Sequence, residues 1–313
     1  MRLSSLLLLL FSFQRTAQTH THRGLYVDGF ASILGNEPRE DSLLLYAHAN
    51  RFTALTLYEV HRIDLTKSER ANALARFIRR ARVDFGIEEI SVAGENAGFF
   101  AQRVIPYNHS RSDTLERFTT LNVEFEYWND GSTGPGDVYC EDYLEPLGYP
   151  CTRAGAFSFF MTQLRAIDST ADANGLRCEL YVGWFTQQEC DSFLTHIDRL
   201  LLHAYVTDPD RAFPYTRERI EWLEGSKHDI DLAVLFSAEQ EFLKPWMHST
   251  DASLDSAHNV WRAGFEAAEP WAHVHPIGSV WFTYGEMPYT LPVASVEQRT
   301  RRLRTLDLSR LHR

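Results

Sequence analysis

Residues 121–128 read LNVEFEYW, an alternation of apolar and polar side chains with a period of two. Successive side chains of a β-strand point to opposite faces, so Leu121, Val123 and Phe125 share one face while Asn122, Glu124 and Glu126 share the other. A half-exposed strand with its acidic face in water satisfies this pattern. So does a barrel strand with its acidic face turned inward. The surrounding chain decides between them.

Seven further short apolar runs accompany this one: GLYVDGF from Gly24, ALTLYEV from Ala54, EISVAGEN from Glu89, CELYVGWF from Cys178, DRLLLHAYV from Asp198, DLAVLFSAE from Asp231 and GSVWFTYGE from Gly278. Between them lie segments of helical period such as SERANALARFIRRARVDFG, with Gly86 as a natural stop,. Strands alternating with helices signal βα units around a parallel sheet. Eight of them predict a (β/α)8 TIM barrel, an α/β single domain over residues 19–290 with a long loop after strand four,. A doubly wound open sheet is the alternative. It is disfavoured because the first strand runs into DGFASILGNEPRED, which lacks the G-x-G-x-x-G phosphate fingerprint,.

The chain has 313 residues, 44% hydrophobic and 23% charged, enough for a large core,. A net charge of -11 argues against general affinity for nucleic acid or anionic membrane surfaces,. The first 18 residues, MRLSSLLLLLFSFQRTAQ, have the basic start and short apolar run of a secretory signal peptide, so a secreted, periplasmic or cell-surface protein is expected,. No later segment reaches the ~20 apolar residues of a membrane span. Residues 291–313 form an Arg-rich tail or helix. Of the four cysteines, Cys140 and Cys151 flank a Pro- and Gly-containing stretch that can fold back to join them, whereas Cys178 begins a strand and Cys190 follows it, which sets that pair too far apart for a bond,. No Cys and His spacing resembles a zinc site, and neither metal nor cofactor is expected.

Active sites of such barrels lie at the C-terminal ends of the strands. Those ends carry Asp28, Tyr58, Glu59, Glu95, Asn96, Glu124 to Trp128, Trp184, His203, Tyr205, Ser237, Glu239, Trp281, Tyr284 and Glu286. Carboxylates and amides suit sugar hydroxyls, and aromatic faces suit sugar rings, so a poly- or oligosaccharide partner is expected. Inward carboxyls are costly to desolvate, and two neighbouring ones disfavour joint ionisation, so one holds a proton near neutral pH. Glu126, nearer the mouth, is read as the proton donor, with Glu124 tuning and orienting it.

The strand resembles the fourth-strand signature D-x-x-D-x-D-x-E of glycoside hydrolase family 18, the chitinase and endo-N-acetylglucosaminidase group, aligned on its final Glu. SVAG from Ser91, HAY ending at Tyr205, and Trp281 resemble that family's motifs on strands three, six and eight. The chain also resembles a group of secreted bacterial proteins with the same strand-four and LLHAYV segments. The family resemblance implies Glu126 as acid and later base, with the substrate's own N-acetyl group attacking the anomeric carbon. It places Glu124 where an Asp orients that group, Tyr205 as its hydrogen-bond partner and Trp281 as the floor of the sugar site. Asn122 and Glu124 depart from the family's Asp residues, and the extra methylene of Glu124 moves its carboxylate by more than about an ångström. Trp128, Trp184, Asp28, Glu95 and Glu239 complete the substrate-binding candidates.

Two other readings remain open. Glu126 pairs with Glu239, Glu95 or Glu286 as conventional acid and nucleophile, or the barrel binds glycans without cleaving them. The loop NDGSTGPGDVYCEDYLEPLGYPC is read as a lid or wall of the cleft,. The histidines of HVH and THTH are read as incidental, the sequon at Asn108 as relevant only in a glycosylating cell, and the chain as a monomer.

Overall fold

The computed structural model describes residues 21–288 apart from 250, 251 and 269. The expected signal peptide and the expected Arg-rich tail lie outside the described residues. Eight parallel strands, β1 (His22–Val27), β2 (Ala54–Leu57), β3 (Glu89–Gly94), β4 (Thr120–Val123), β5 (Arg177–Val182), β6 (Arg199–His203), β7 (Ile230–Ser237) and β8 (Val274–Phe282), close into a barrel in sequence order. Each strand expected from the sequence is present. No described helix is long and apolar enough to cross a membrane.

Parallel register sorts the side chains into two layers. Leu25 aligns with Leu55, Leu55 with Ile90, and Leu180 with Leu200, and all are fully buried against the surrounding helices. Burying each such side chain contributes about 1.5–3 kcal/mol. The helix Ser68–Phe85 shows how the outer layer is built. Its Leu74, Phe77, Ile78, Ala81 and Phe85 recur at helical spacing on the buried side, and Gly86 ends it at φ 73°, a left-handed conformation that suits glycine,.

β4 is shorter than the alternation suggests. The Glu124 N–H makes a last bond to the Gly94 carbonyl, after which Tyr127 N–H turns back to Phe125 and Asn129 N–H to Glu126. The faces nonetheless keep alternating past the strand. Phe125 and Tyr127 pack on Phe159 and Phe160 of the helix Arg153–Asn174, with ring centroids 5.0 and 4.8 Å apart. Glu124 and Glu126 are left on the barrel side.

The loop after β4 is a folded wall. Cys140 and Cys151 are joined, with Cα atoms 5.2 Å apart, while Cys178 and Cys190 are free and buried. Tyr139 stacks on Phe125 at 4.4 Å and anchors the wall to the barrel. Because the bridge closes an 11-residue separation, the Cys140→Ser/Cys151→Ser variant is expected to lose about 3 kcal/mol of stability, read from its urea midpoint.

Candidate active site

The first residues beyond the first four strands are Asp28, Tyr58, Glu95 and Glu124, so each strand delivers its polar group at the same level of the mouth. Asp28 accepts from the Thr283 hydroxyl and from the Gly285 N–H at 2.9 Å, which ties β1 to the loop after β8. Glu95 accepts from the Tyr143 hydroxyl of the disulfide-closed wall. Glu126 is part-buried, and its two oxygens accept from Tyr181 at 3.0 Å and from Asn129 at 3.1 Å. The hydroxyls of Tyr181 and Tyr205 are hydrogen-bonded to each other, which places Tyr205 across the barrel in the same network.

Glu124 is the carboxyl of this cluster whose ionisation the fold opposes most directly. Burial, then the charges of Glu126 and Glu95, push its carboxyl up to about 8,. Its Oε2 is sealed from solvent and has no hydrogen-bond partner among the described residues. The same cluster acts on its neighbours. Glu124 first, then burial, Glu95 and Glu126, raises Tyr58, and burial followed by Glu124 raises Tyr205. Burial, with Asp142 and Glu126, also raises Glu95 against the effect of its Tyr143 hydrogen bond. Glu239 stands further round the mouth. It accepts from the Ser237 hydroxyl at 2.9 Å and is raised by burial and by Glu241, Glu286 and Glu126. The sequence reading expected one of the Glu124 and Glu126 pair to hold a proton, and the raised carboxyl is the deeper one.

A stability prediction follows from the position of Glu124. Its native value of about 8 exceeds the usual 4.5, so between these pH values the native state holds a proton that the unfolded chain has released. Stability therefore falls as pH rises through this window, and the penalty is complete above pH 8. The Glu124→Gln variant is expected to match the wild type near pH 4 and to exceed it by roughly 3–5 kcal/mol near pH 9. Denaturant unfolding at the two pH values measures it, and parallel curves would show that Glu124 ionises normally.

Two sequence candidates lie elsewhere. Trp281 aligns with Leu25 and Phe236, is fully buried, and packs on Phe236 at 5.0 Å, so it faces the helices and cannot floor the cleft. Reading the register one residue off reverses a strand's faces. Phe282 takes the inner position, 5.6 Å from Tyr26 and 6.3 Å from Tyr205. Asn122 does face inward, but beneath the cleft. Tyr26 donates to its Oδ1 at 2.9 Å, and its Nδ2 donates to Glu179 at 2.7 Å, so both ends of the buried amide are engaged within the protein.

Trp128 and Trp184 differ. Trp128 is buried against Tyr127 and Tyr181, with its indole edge and His203 lying close over Gly183. A Cβ at that glycine would sit 2.6 Å from Trp128 Nε1 and 2.5 Å from His203 Nδ1. Trp184 is 44% exposed at the rim.

Sequence reasoning passed over Tyr181, Asn129, Tyr143 and the ion network below the site. A signal for Tyr181 existed, because Glu179, Tyr181 and Gly183 alternate along β5 and just past its end, as Asn122, Glu124 and Glu126 do along and past β4. Arg199 Nε donates to Glu179 at 2.5 Å, Arg199 also pairs with Glu89, and Arg177 binds Glu89 at 2.7 Å. Burial works against ionisation of Glu89, yet Arg199 and Arg177 hold it down to about 2. Burial exceeds the help of Arg199 at the fully enclosed Glu179, which is raised.

No family model and no curated protein matches the chain. Among solved structures it is similar to a β-mannanase from the blue mussel Mytilus edulis (10% identity over 86% of this chain and 88% of that one, TM-score 0.48). It is also similar to a family 18 chitinase from Crocus vernus (10%, 91% and 99%, TM-score 0.47). The C-terminal domain of a protein designated a chitinase from Desulfitobacterium hafniense DCB-2 is a third (12%, TM-score 0.46), with 70% of this chain covered and 66% of that one, just under two thirds of its length. At these identities the likeness concerns the barrel alone.

Proposed function

We propose that the protein is an exported glycoside hydrolase that breaks a glycosidic bond with Glu126 as general acid and then base. One feature carries the reading: Glu124, Glu126 and Glu95 gather at the C-terminal mouth of the barrel, with Glu126 held by Tyr181 and Asn129, and burial with the neighbouring charges pushes Glu124 up to about 8,. Glycoside hydrolysis needs a proton for the leaving oxygen and a base for the attacking water. Glu124 holds the proton in the resting site. Glu126, one step nearer the mouth and fixed by Tyr181 and Asn129, is the carboxyl placed to protonate the glycosidic oxygen and then to take a proton from the attacking water,. Tyr205 and Tyr58 border the same cluster as neutral phenols able to donate to sugar oxygens. An N-acetyl sugar, supplying its own nucleophile, fits the resemblance of the strand-four motif.

A second reading makes Glu95 the partner of Glu126, because the charge of Glu126 raises Glu95 and Tyr143 holds it in place. Export is supported by the Cys140–Cys151 bridge, which an oxidising compartment maintains,.

The test is release of reducing ends from chitooligosaccharides, N-glycans, and plant and algal polysaccharides, with the anomer of the first product followed by NMR. Turnover with retention supports either chemistry, and a requirement for the N-acetyl group separates them. Binding without turnover across the panel would replace the hydrolase with a glycan-binding barrel.

A further inference from the structure

Beside Tyr205 the wall between the loops after β6 and β7 opens into a depression of about 390 Å³, with Tyr205, Tyr215 and Phe242 among its walls and Asp210, Arg211 and Glu241 at its rim. That is the size range of small-ligand sites. Tyr205 belongs to both places. Its hydroxyl joins Tyr181 in the network that holds Glu126, and its ring lies 4.9 Å from Phe242.

The aromatic surface is held rigid from behind. The buried Arg219 guanidinium lies 4.4 Å from the Trp184 ring and 4.9 Å from the Tyr215 ring. It donates to the Gly183 and Tyr215 carbonyls, and it has no ion pair among the described residues. The cation's favourable contact with the ring faces fixes the two aromatics against each other, with centroids 5.1 Å apart,. Such a surface costs little ordering when a ligand stacks on it.

We propose that this depression is a second sugar subsite, adjoining the bond-breaking centre, that takes a hexose without anionic substituents. The inference rests on the glycosidase reading for which ring occupies the neighbouring position. Phe242 and Tyr215 offer apolar faces to a sugar ring, and the Asp210 and Glu241 carboxylates accept from its hydroxyls. Among the described residues Arg211 is the one cation of the rim against those two carboxylates, with Glu239 close by in sequence, so a uronate or sulfate ester meets net repulsion,.

Calorimetric titration of the wild type, Phe242→Ala and Phe242→Tyr with two- and five-unit cello-, manno- and chito-oligosaccharides, and with pentagalacturonate, tests it. At least one neutral pentasaccharide is expected to bind the wild type about tenfold or more tighter than its disaccharide. Phe242→Ala should remove that difference, Phe242→Tyr should keep it, and pentagalacturonate should show no gain. An unchanged pentasaccharide affinity in Phe242→Ala, tight pentagalacturonate binding, or no binding of any probe overturns the subsite. The two readings fail separately. Cleavage of a neutral glycan by the wild type with unaltered binding in Phe242→Ala keeps the hydrolase and removes the subsite. Binding lost in Phe242→Ala, without cleavage of any glycan by the wild type, does the reverse.

Discussion

Glu126→Gln is expected to lower kcat by about 10²–10⁴-fold on the glycan the wild type cleaves, with KM within a few-fold. The substitution keeps the shape of the side chain and an acceptor for Tyr181, and gives up only the acceptor for the exposed Asn129 amide. What it removes is a group able to give and take a proton at the mouth. A parallel fall of kcat and kcat/KM locates the loss in the transition state rather than in ground-state binding. The wild-type pH profile supplies a second readout. Activity should decline as pH rises through about 8, where Glu124 gives up its proton,. If Glu126→Gln retained most of its activity on a glycan, the proton donor would be Glu124 or Glu95, and Tyr181 and Asn129 would be holding a spectator.

The second large effect is on stability. Arg199→Met is expected to cost about 3–5 kcal/mol at pH 7, because it strips the cation from between two enclosed carboxylates,. The long apolar side chain fills much of the space, so the loss reports uncompensated charge more than a cavity. The pH dependence distinguishes these causes. In the wild type the depressed value of Glu89, about 2, contributes stability that is present above its usual 4.5 and is lost as pH falls through 2,. The variant keeps only the smaller part of that contribution that Arg177 supplies, so its deficit should narrow toward pH 3. Adding Glu179→Gln should recover part of it at pH 7. Urea unfolding at both pH values is the measurement, and a deficit independent of pH would assign the cost to packing. Asn122 gives this network a further role, since it links Glu179 to Tyr26 directly beneath the cleft.

The barrel was legible because its signal is repeated and local. Eight short apolar runs, each separated by a helical period or a long connection, admit few arrangements, and all eight form strands that close in order,. The disulfide was legible for the same reason, since Cys140 and Cys151 are near in sequence and the stretch between them turns. The inward face of the strand-four segment followed from its period of two and survives even though the strand ends at Val123.

Which polar residues belong together was a different matter. Parity along β8 had to be set by pairing with β1 and β7, and that pairing turns Trp281 outward and Phe282 inward. Asn122 and Glu124 are neighbours on one face of the segment, yet their partners come from β1, β5 and the loop beyond β3. One becomes a structural link and the other an acid held near neutral pH. Periodicity and short-range closure are properties of neighbouring residues, so the (β/α)8 architecture, the acidic strand-four face and the bridged loop are legible in the chain alone. The raised carboxyl of Glu124, the hold of Tyr181 on Glu126 and the place of Arg199 between Glu89 and Glu179 come only with the tertiary structure, from strands far apart in the chain. Burial and Coulomb interaction depend on distance in space, which closing the barrel alone sets.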